Sequence, residues 1–121
     1  MAKILVVDDE EHILMILKDS LEFSGFQIVT ATNGEEALVM VEKEHPDLLV
    51  LDVGMPKLDG WEVCRRLKGD AKTQALPSII LTAYAQTSDK RKGMDLGADR
   101  FITKPCDLSS LVDEINALLK K

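Results

Sequence analysis

Cysteine is scarce in this chain: Cys64 and Cys106 are the only two, and they fall in no paired motif. That excludes a disulfide framework, and a cytoplasmic protein with two reduced thiols is the simplest reading. Histidine is equally sparse; His12 and His45 lack metal-ligand spacing and are expected on the surface. No stretch approaches the roughly 20 apolar residues of a membrane span. The start, Met1-Ala2-Lys3 and then Ile4-Leu5-Val6-Val7, is too short for a signal peptide. Basic charge is also short, with 15 Lys and Arg against 21 Asp and Glu and a net charge of −6. A nucleic-acid surface needs a basic stripe, and the one basic cluster, Lys90-Arg91-Lys92, reads as a solvated helix face. Direct nucleic-acid binding and membrane association by this chain are therefore not expected.

What is present is a regular alternation. Short apolar runs at 4–7, 28–31, 48–51, 79–82 and 100–102 are separated by segments of helical period at about 10–24, 34–44, 59–69, 87–96 and 107–120. The runs are continuous rather than alternating, which suits strands buried on both faces. Asn33-Gly34 opens the second helix, and Asp107 with Ser109 and Ser110 offers caps for the last. Gly25 and Gly97 stand where helices one and four should stop, and Pro46 and Pro77 precede strands three and four. A five-fold βα alternation over 1–121 implies one domain. It is an α/β fold, with a doubly wound parallel sheet in the order 2-1-3-4-5 and five helices.

In such a sheet ligands bind beyond the carboxyl ends of the strands, where the strand order reverses. That end collects Asp8 and Asp9 after strand one, Asp52 after strand three, Thr82 after strand four and Lys104 after strand five. Singly, each has a plain structural role. Asp8 or Asp9 suits a helix cap, Asp52 a turn, Thr82 a strand and Lys104 the surface. Together they form a set that the opposite strand ends lack. Three close carboxylates repel one another unless a cation joins them, and the hard, oxygen-binding Mg²⁺ suits that donor set. Asp52 then becomes a carboxylate nucleophile able to form an acyl phosphate. Lys104 offers positive charge and Thr82 a hydroxyl donor to the phosphoryl oxygens.

With Val6-Val7-Asp8-Asp9, Leu51-Asp52-Val53-Gly54-Met55-Pro56, Asp59-Gly60, Leu81-Thr82-Ala83 and Lys104-Pro105 in order, the whole chain resembles the receiver domain of two-component response regulators. The resemblance implies a flavodoxin-like fold and a phosphorelay role. Asp52 would accept a phosphoryl group from the phosphohistidine of a sensor histidine kinase or histidine phosphotransfer protein. It further implies Mg²⁺ held by Asp9 and Asp52, with Asp8 assisting through water and the Gly54 carbonyl adding a ligand. Lys104 would contact the phosphoryl group, and the Lys104-Pro105 peptide would be cis. Thr82 and Phe101 would form the conformational switch that alters binding to a downstream protein effector. Gly54 and Tyr84 occupy places that tune dephosphorylation; with no Gly54 side chain to position water and Tyr84 as a shield, a long-lived phosphoprotein is expected. Cys106 stands where many receivers carry phenylalanine and is expected to be buried. Arg100 stands where DNA-binding regulators of the winged-helix class often carry an acid, which weakens the case for their receiver dimer. The short C-terminus favours a stand-alone regulator acting through protein contacts.

Consecutive apolar residues Ile13 to Leu17 surround helix one, so some must face outward. Leu14 and Met15 are the expected docking residues for the kinase's helical phosphotransfer domain. Three other functions remain open on sequence. An aspartyl-phosphate-forming hydrolase wants an acid where Gly54 stands. A flavodoxin-like electron carrier must cradle a phosphate in a first loop that here reads Asp8-Asp9-Glu10-Glu11. A phosphorylation-independent interaction module has no feature in its favour.

Overall fold

Strand formation follows from runs that leave no face fit for water. Ile4-Leu5-Val6-Val7 and Leu48-Leu49-Val50-Leu51 are apolar at every position and are fully buried. The computed structural model describes residues 2–52, 60–82, 100–103 and 108–119. Within these lie β1 (Lys3–Val7), β2 (Gln27–Ala31), β3 (Leu48–Asp52), β4 (Ser78–Thr82) and β5 (Arg100–Thr103). The strands pair in parallel in the order β2-β1-β3-β4-β5. The described helices are α1 (Glu11–Phe23), α2 (Gly34–Glu44), α3 (Gly60–Lys68) and α4 (Leu108–Leu119). Their bounds fall within one residue of the expected ones; the helix expected at 87–96 lies outside the described residues.

Side-chain alternation along the strands divides the core in two. Ile4, Val6, Leu48, Val50, Ile79 and Leu81 pack with Leu14, Leu17 and Leu21 of α1 and Leu111, Ile115 and Leu118 of α4. Leu5, Val7, Leu49, Leu51 and Ile80 pack on the other face with Ala37 and Val41 of α2 and Val63 and Leu67 of α3. Both faces are therefore sealed, and polar side chains are excluded from the middle of the central strands.

Local chemistry sets the helix ends. The Asn33 side chain accepts from the Glu36 N–H at 2.9 Å, while Glu36 reaches back to the Thr32 N–H at 2.9 Å, a reciprocal cap at the start of α2. After α1, Gly25 takes φ +99, which glycine adopts without steric penalty. The end of α2 is less obvious from sequence, because His45 rather than glycine takes the left-handed position, at φ 49. Between α3 and β4, the Lys68 ammonium donates to the carbonyls of Gln74 at 3.2 Å and Leu76 at 2.9 Å. The Thr73 hydroxyl donates to the Leu67 carbonyl at 2.6 Å, so the connection into β4 is tied back onto its helix.

The apolar run of α1 divides as a helix must. Leu14 and Leu17 are buried and Ile13 is half-buried, whereas Met15 and Ile16 are 62% and 52% exposed. Leu14, expected to face a partner, instead faces the core, since it shares the helical stripe of Leu17 and Leu21. Leu14→Lys should lose at least about 3 kcal/mol of unfolding free energy by forcing an ammonium into an apolar core. Met15→Lys should change it by less than about 0.5 kcal/mol, as exposed substitutions do. Urea unfolding of the two variants checks the assignment; similar losses from both would refute it.

Candidate functional site

The order of strands reverses between β1 and β3, and this opens a crevice beyond their carboxyl ends. Asp8 is the first residue past β1, and its N–H still donates to the Ala31 carbonyl of β2 at 3.2 Å. Its side chain is carried into the protein, leaving the residue only 2% exposed. One carboxylate oxygen of Asp8 accepts the Glu10 N–H at 3.0 Å and closes the turn that launches α1. Sequence left open whether Asp8 or Asp9 caps that helix. The N-cap is in fact Glu10, with extended backbone and no side-chain cap bond, and Asp8 supports it from two residues upstream. Asp9 is exposed, so the two neighbouring acids differ sharply in environment.

Register brings the third acid alongside. Val7 pairs with Leu51, so Asp8 and Asp52 each stand one residue beyond that pair on adjacent strands, which lie about 4.8 Å apart in any sheet. Asp52 is the last residue of β3 and is opposite Leu81, the neighbour of Thr82. Thr82 ends β4 opposite Thr103, the residue before Lys104. Phe101 sits within β5 opposite Ile80. The ends of β1, β3, β4 and β5 thus converge on one edge of the sheet. Gly54, Tyr84, Lys104, Pro105 and Cys106 lie outside the described residues, as do the basic cluster at 90–92 and the cap Asp107.

The expected donors, Asp8, Asp9, Asp52 and the Gly54 carbonyl, are oxygen throughout, which would fit a hard cation such as Mg²⁺ and no soft metal. Among the described residues no group of three or more His, Cys, Asp or Glu that could hold a metal ion is found. Both histidines are exposed, as expected. Two contacts at this end of the molecule and on β5 were not legible beforehand. One is the buried Asp8 bond to Glu10. The other is the Arg100 guanidinium donating to the Glu114 carboxylate at 2.7 Å, which ties β5 to α4 within the chain. Among the described residues no helix is long and apolar enough to cross a membrane.

Comparison with known proteins agrees with this geometry. The response regulator receiver domain family matches residues 4–116. The alkaline phosphatase synthesis transcriptional regulatory protein of Bacillus subtilis is 47% identical over 119 residues, which are 98% of this chain and 49% of that protein. A probable transcriptional regulator of Porphyra purpurea is 45% identical over 98% of this chain and 48% of its own length. The chain thus spans about half the length of the curated relatives it matches. Among solved structures, the receiver domain of a signal transduction histidine kinase from Syntrophus aciditrophicus superposes with a TM-score of 0.93. It is 38% identical, with 99% of this chain and 91% of that one covered. The chemotaxis protein CheY4 of Vibrio cholerae gives 0.92 at 29% identity, covering 98% of both chains. Relatives named as transcriptional regulators stand beside Arg100, which had pointed away from DNA-binding regulators. The charge argument against nucleic acid concerns these 121 residues alone.

The role of Asp8 in launching α1 is separable from its charge. Asp8→Asn and Asp8→Ala both remove the negative charge, but only asparagine keeps an oxygen for the Glu10 N–H. Asp8→Ala should therefore be less stable than Asp8→Asn by about 1 kcal/mol in urea unfolding. Equal stability of the pair would show that this hydrogen bond contributes nothing.

Proposed function

The chain belongs to the response regulator receiver domain family, and from that premise we propose that it accepts a phosphoryl group on Asp52 and switches conformation in response. Receiver domains of two-component systems are signalling switches, and a sensor kinase is the expected partner. The observation that carries the assignment is the β1–β3 register. It aligns Asp52 with the buried Asp8 at the point where the strand order reverses.

In the proposed reaction a carboxylate oxygen of Asp52 attacks the phosphorus of a phosphohistidine. The new O–P bond forms as the P–N bond breaks, and the imidazole leaves with the electron pair. Asp8, Asp9, Asp52 and the Gly54 carbonyl would hold Mg²⁺, which supplies charge neutralisation at the phosphoryl oxygens when bound. Asp8 is anchored through Glu10, so it contributes fixed negative charge; the exposed Asp9 is free to turn toward the ion. Lys104 neutralises a phosphoryl oxygen, and the Thr82 hydroxyl donates to another. Drawing Thr82 inward vacates space that Phe101 fills, a shift between two packings of the same core. The output surface then binds a downstream protein. The proposed setting is cytoplasmic, where two cysteines in no paired motif would stay reduced.

Incubation with acetyl phosphate and Mg²⁺ should add one phosphoryl group, labile to hydroxylamine and counted by intact-protein mass spectrometry. Asp52→Asn should abolish it, and undiminished labelling of that variant would mean the acceptor is another carboxylate. Removing Mg²⁺ with a chelator, or introducing Asp9→Ala, should slow labelling by at least about a hundredfold, because the ion's charge stabilisation is lost. The purified phosphoprotein should persist for minutes rather than seconds, as expected from Gly54 and Tyr84. Continuous release of phosphate from excess acetyl phosphate, faster than this, would instead mark a hydrolase.

A further inference from the structure

The most exposed large apolar side chain described is Phe23, at 95%. It is the last residue of α1 and sits two positions beyond Leu21, hence about 200° around the helix from the buried stripe. No core requirement places it there. Beside it the second half of α1 and the first half of α4 enclose a groove of about 520 Å³. Phe23 and the half-buried Val112 give this groove its apolar surface, and Ser20 and Ser109 add hydroxyls. Asp19 and Asp113, both exposed, put a carboxylate on each helix. Among the described residues that line the groove, none is basic. Lys18, the nearest on α1, pairs with Glu22 at 3.3 Å. Among the described residues neither Asp19 nor Asp113 has a cationic partner.

Charge decides what fits. A second copy seated by two-fold symmetry would bring the same patch onto itself, setting Asp19 and Asp113 of each copy against one another. The net charge of −6 opposes that approach as well. A segment that places an apolar side chain beside Phe23, and Lys or Arg beside the two aspartates, satisfies both features at once. We infer that the α1–α4 groove centred on Phe23 is a docking site for a cationic amphipathic helix of another protein. Helices enter such grooves with apolar anchors at helical spacing, and the flanking charges set orientation and partner choice.

The probe is a synthetic amphipathic helical peptide of leucine and lysine, titrated into the full isotope-labelled chain and followed by amide chemical shifts. A counterpart with glutamate in place of lysine serves as the control. The lysine peptide should shift the amides of Ser20, Phe23, Ser109 and Val112, with affinity falling as salt is added. Phe23→Ser, which folds because the ring is exposed, should weaken binding at least about tenfold, as loss of an aromatic anchor does. Asp19→Asn with Asp113→Asn should erase the preference for the lysine peptide over the glutamate one. Shifts that map elsewhere, or equal binding of the two peptides to the native chain, would overturn the proposal. So would a concentration-dependent dimer in sedimentation that Phe23→Ser abolishes, because the occupant would then be a second copy.

Discussion

The burial of the sheet on both faces is the constraint on which the rest of the structure depends. Once Ile4 to Val7 and Leu48 to Leu51 are sealed between two layers of helices, a charged side chain within them would carry a desolvation penalty of several kcal/mol. Polar chemistry is displaced to the ends of the strands. Parallel pairing then makes those ends equivalent: every carboxyl end faces the same way, so residues far apart in the chain arrive at one edge. Asp8, Asp52 and Thr82 stand at that edge, each at or just past the end of its strand. The site and the core are two results of one pattern.

That constraint explains why so much was legible in the sequence. Unbroken apolar runs marked the strands, and Gly25 and Asn33 marked the ends and starts of helices. The βα alternation then led directly to the strand order. Pattern alone could not separate neighbours of the same class. Asp8 and Asp9 read alike, yet one is buried and bonded to Glu10 while the other stands in water. Leu14 and Met15 also read alike, and helix phase sends them to opposite surroundings. Five consecutive apolar residues leave that phase undetermined until α1 is packed against β1 and α4.

Contacts that long side chains make outside their own element were illegible for a different reason. The Lys68 bonds to the Gln74 and Leu76 carbonyls, and the Arg100–Glu114 pair, depend on where loops turn rather than on any local preference. His45 takes the left-handed position where glycine is the commonest choice. It is tolerated where the strongly packed Val41 and Leu48 on either side define the path of the chain. Local preference governs where tertiary packing is indifferent, and yields elsewhere.

The position of β1 has a kinetic corollary. It lies between β2 and β3, and the Lys3 N–H bonds the Asp47 carboxylate across 44 residues of chain. No strand in this sheet can pair with its neighbour through a short hairpin, so every rung of the ladder waits on closure of a long crossover. The segment running from β1 through α1 to β2 closes the first of these, and β3 must then find the open side of β1. Assembly is therefore paced by loop closure rather than by helix formation, and until β3 arrives the inner edge of β1 is an unpaired strand.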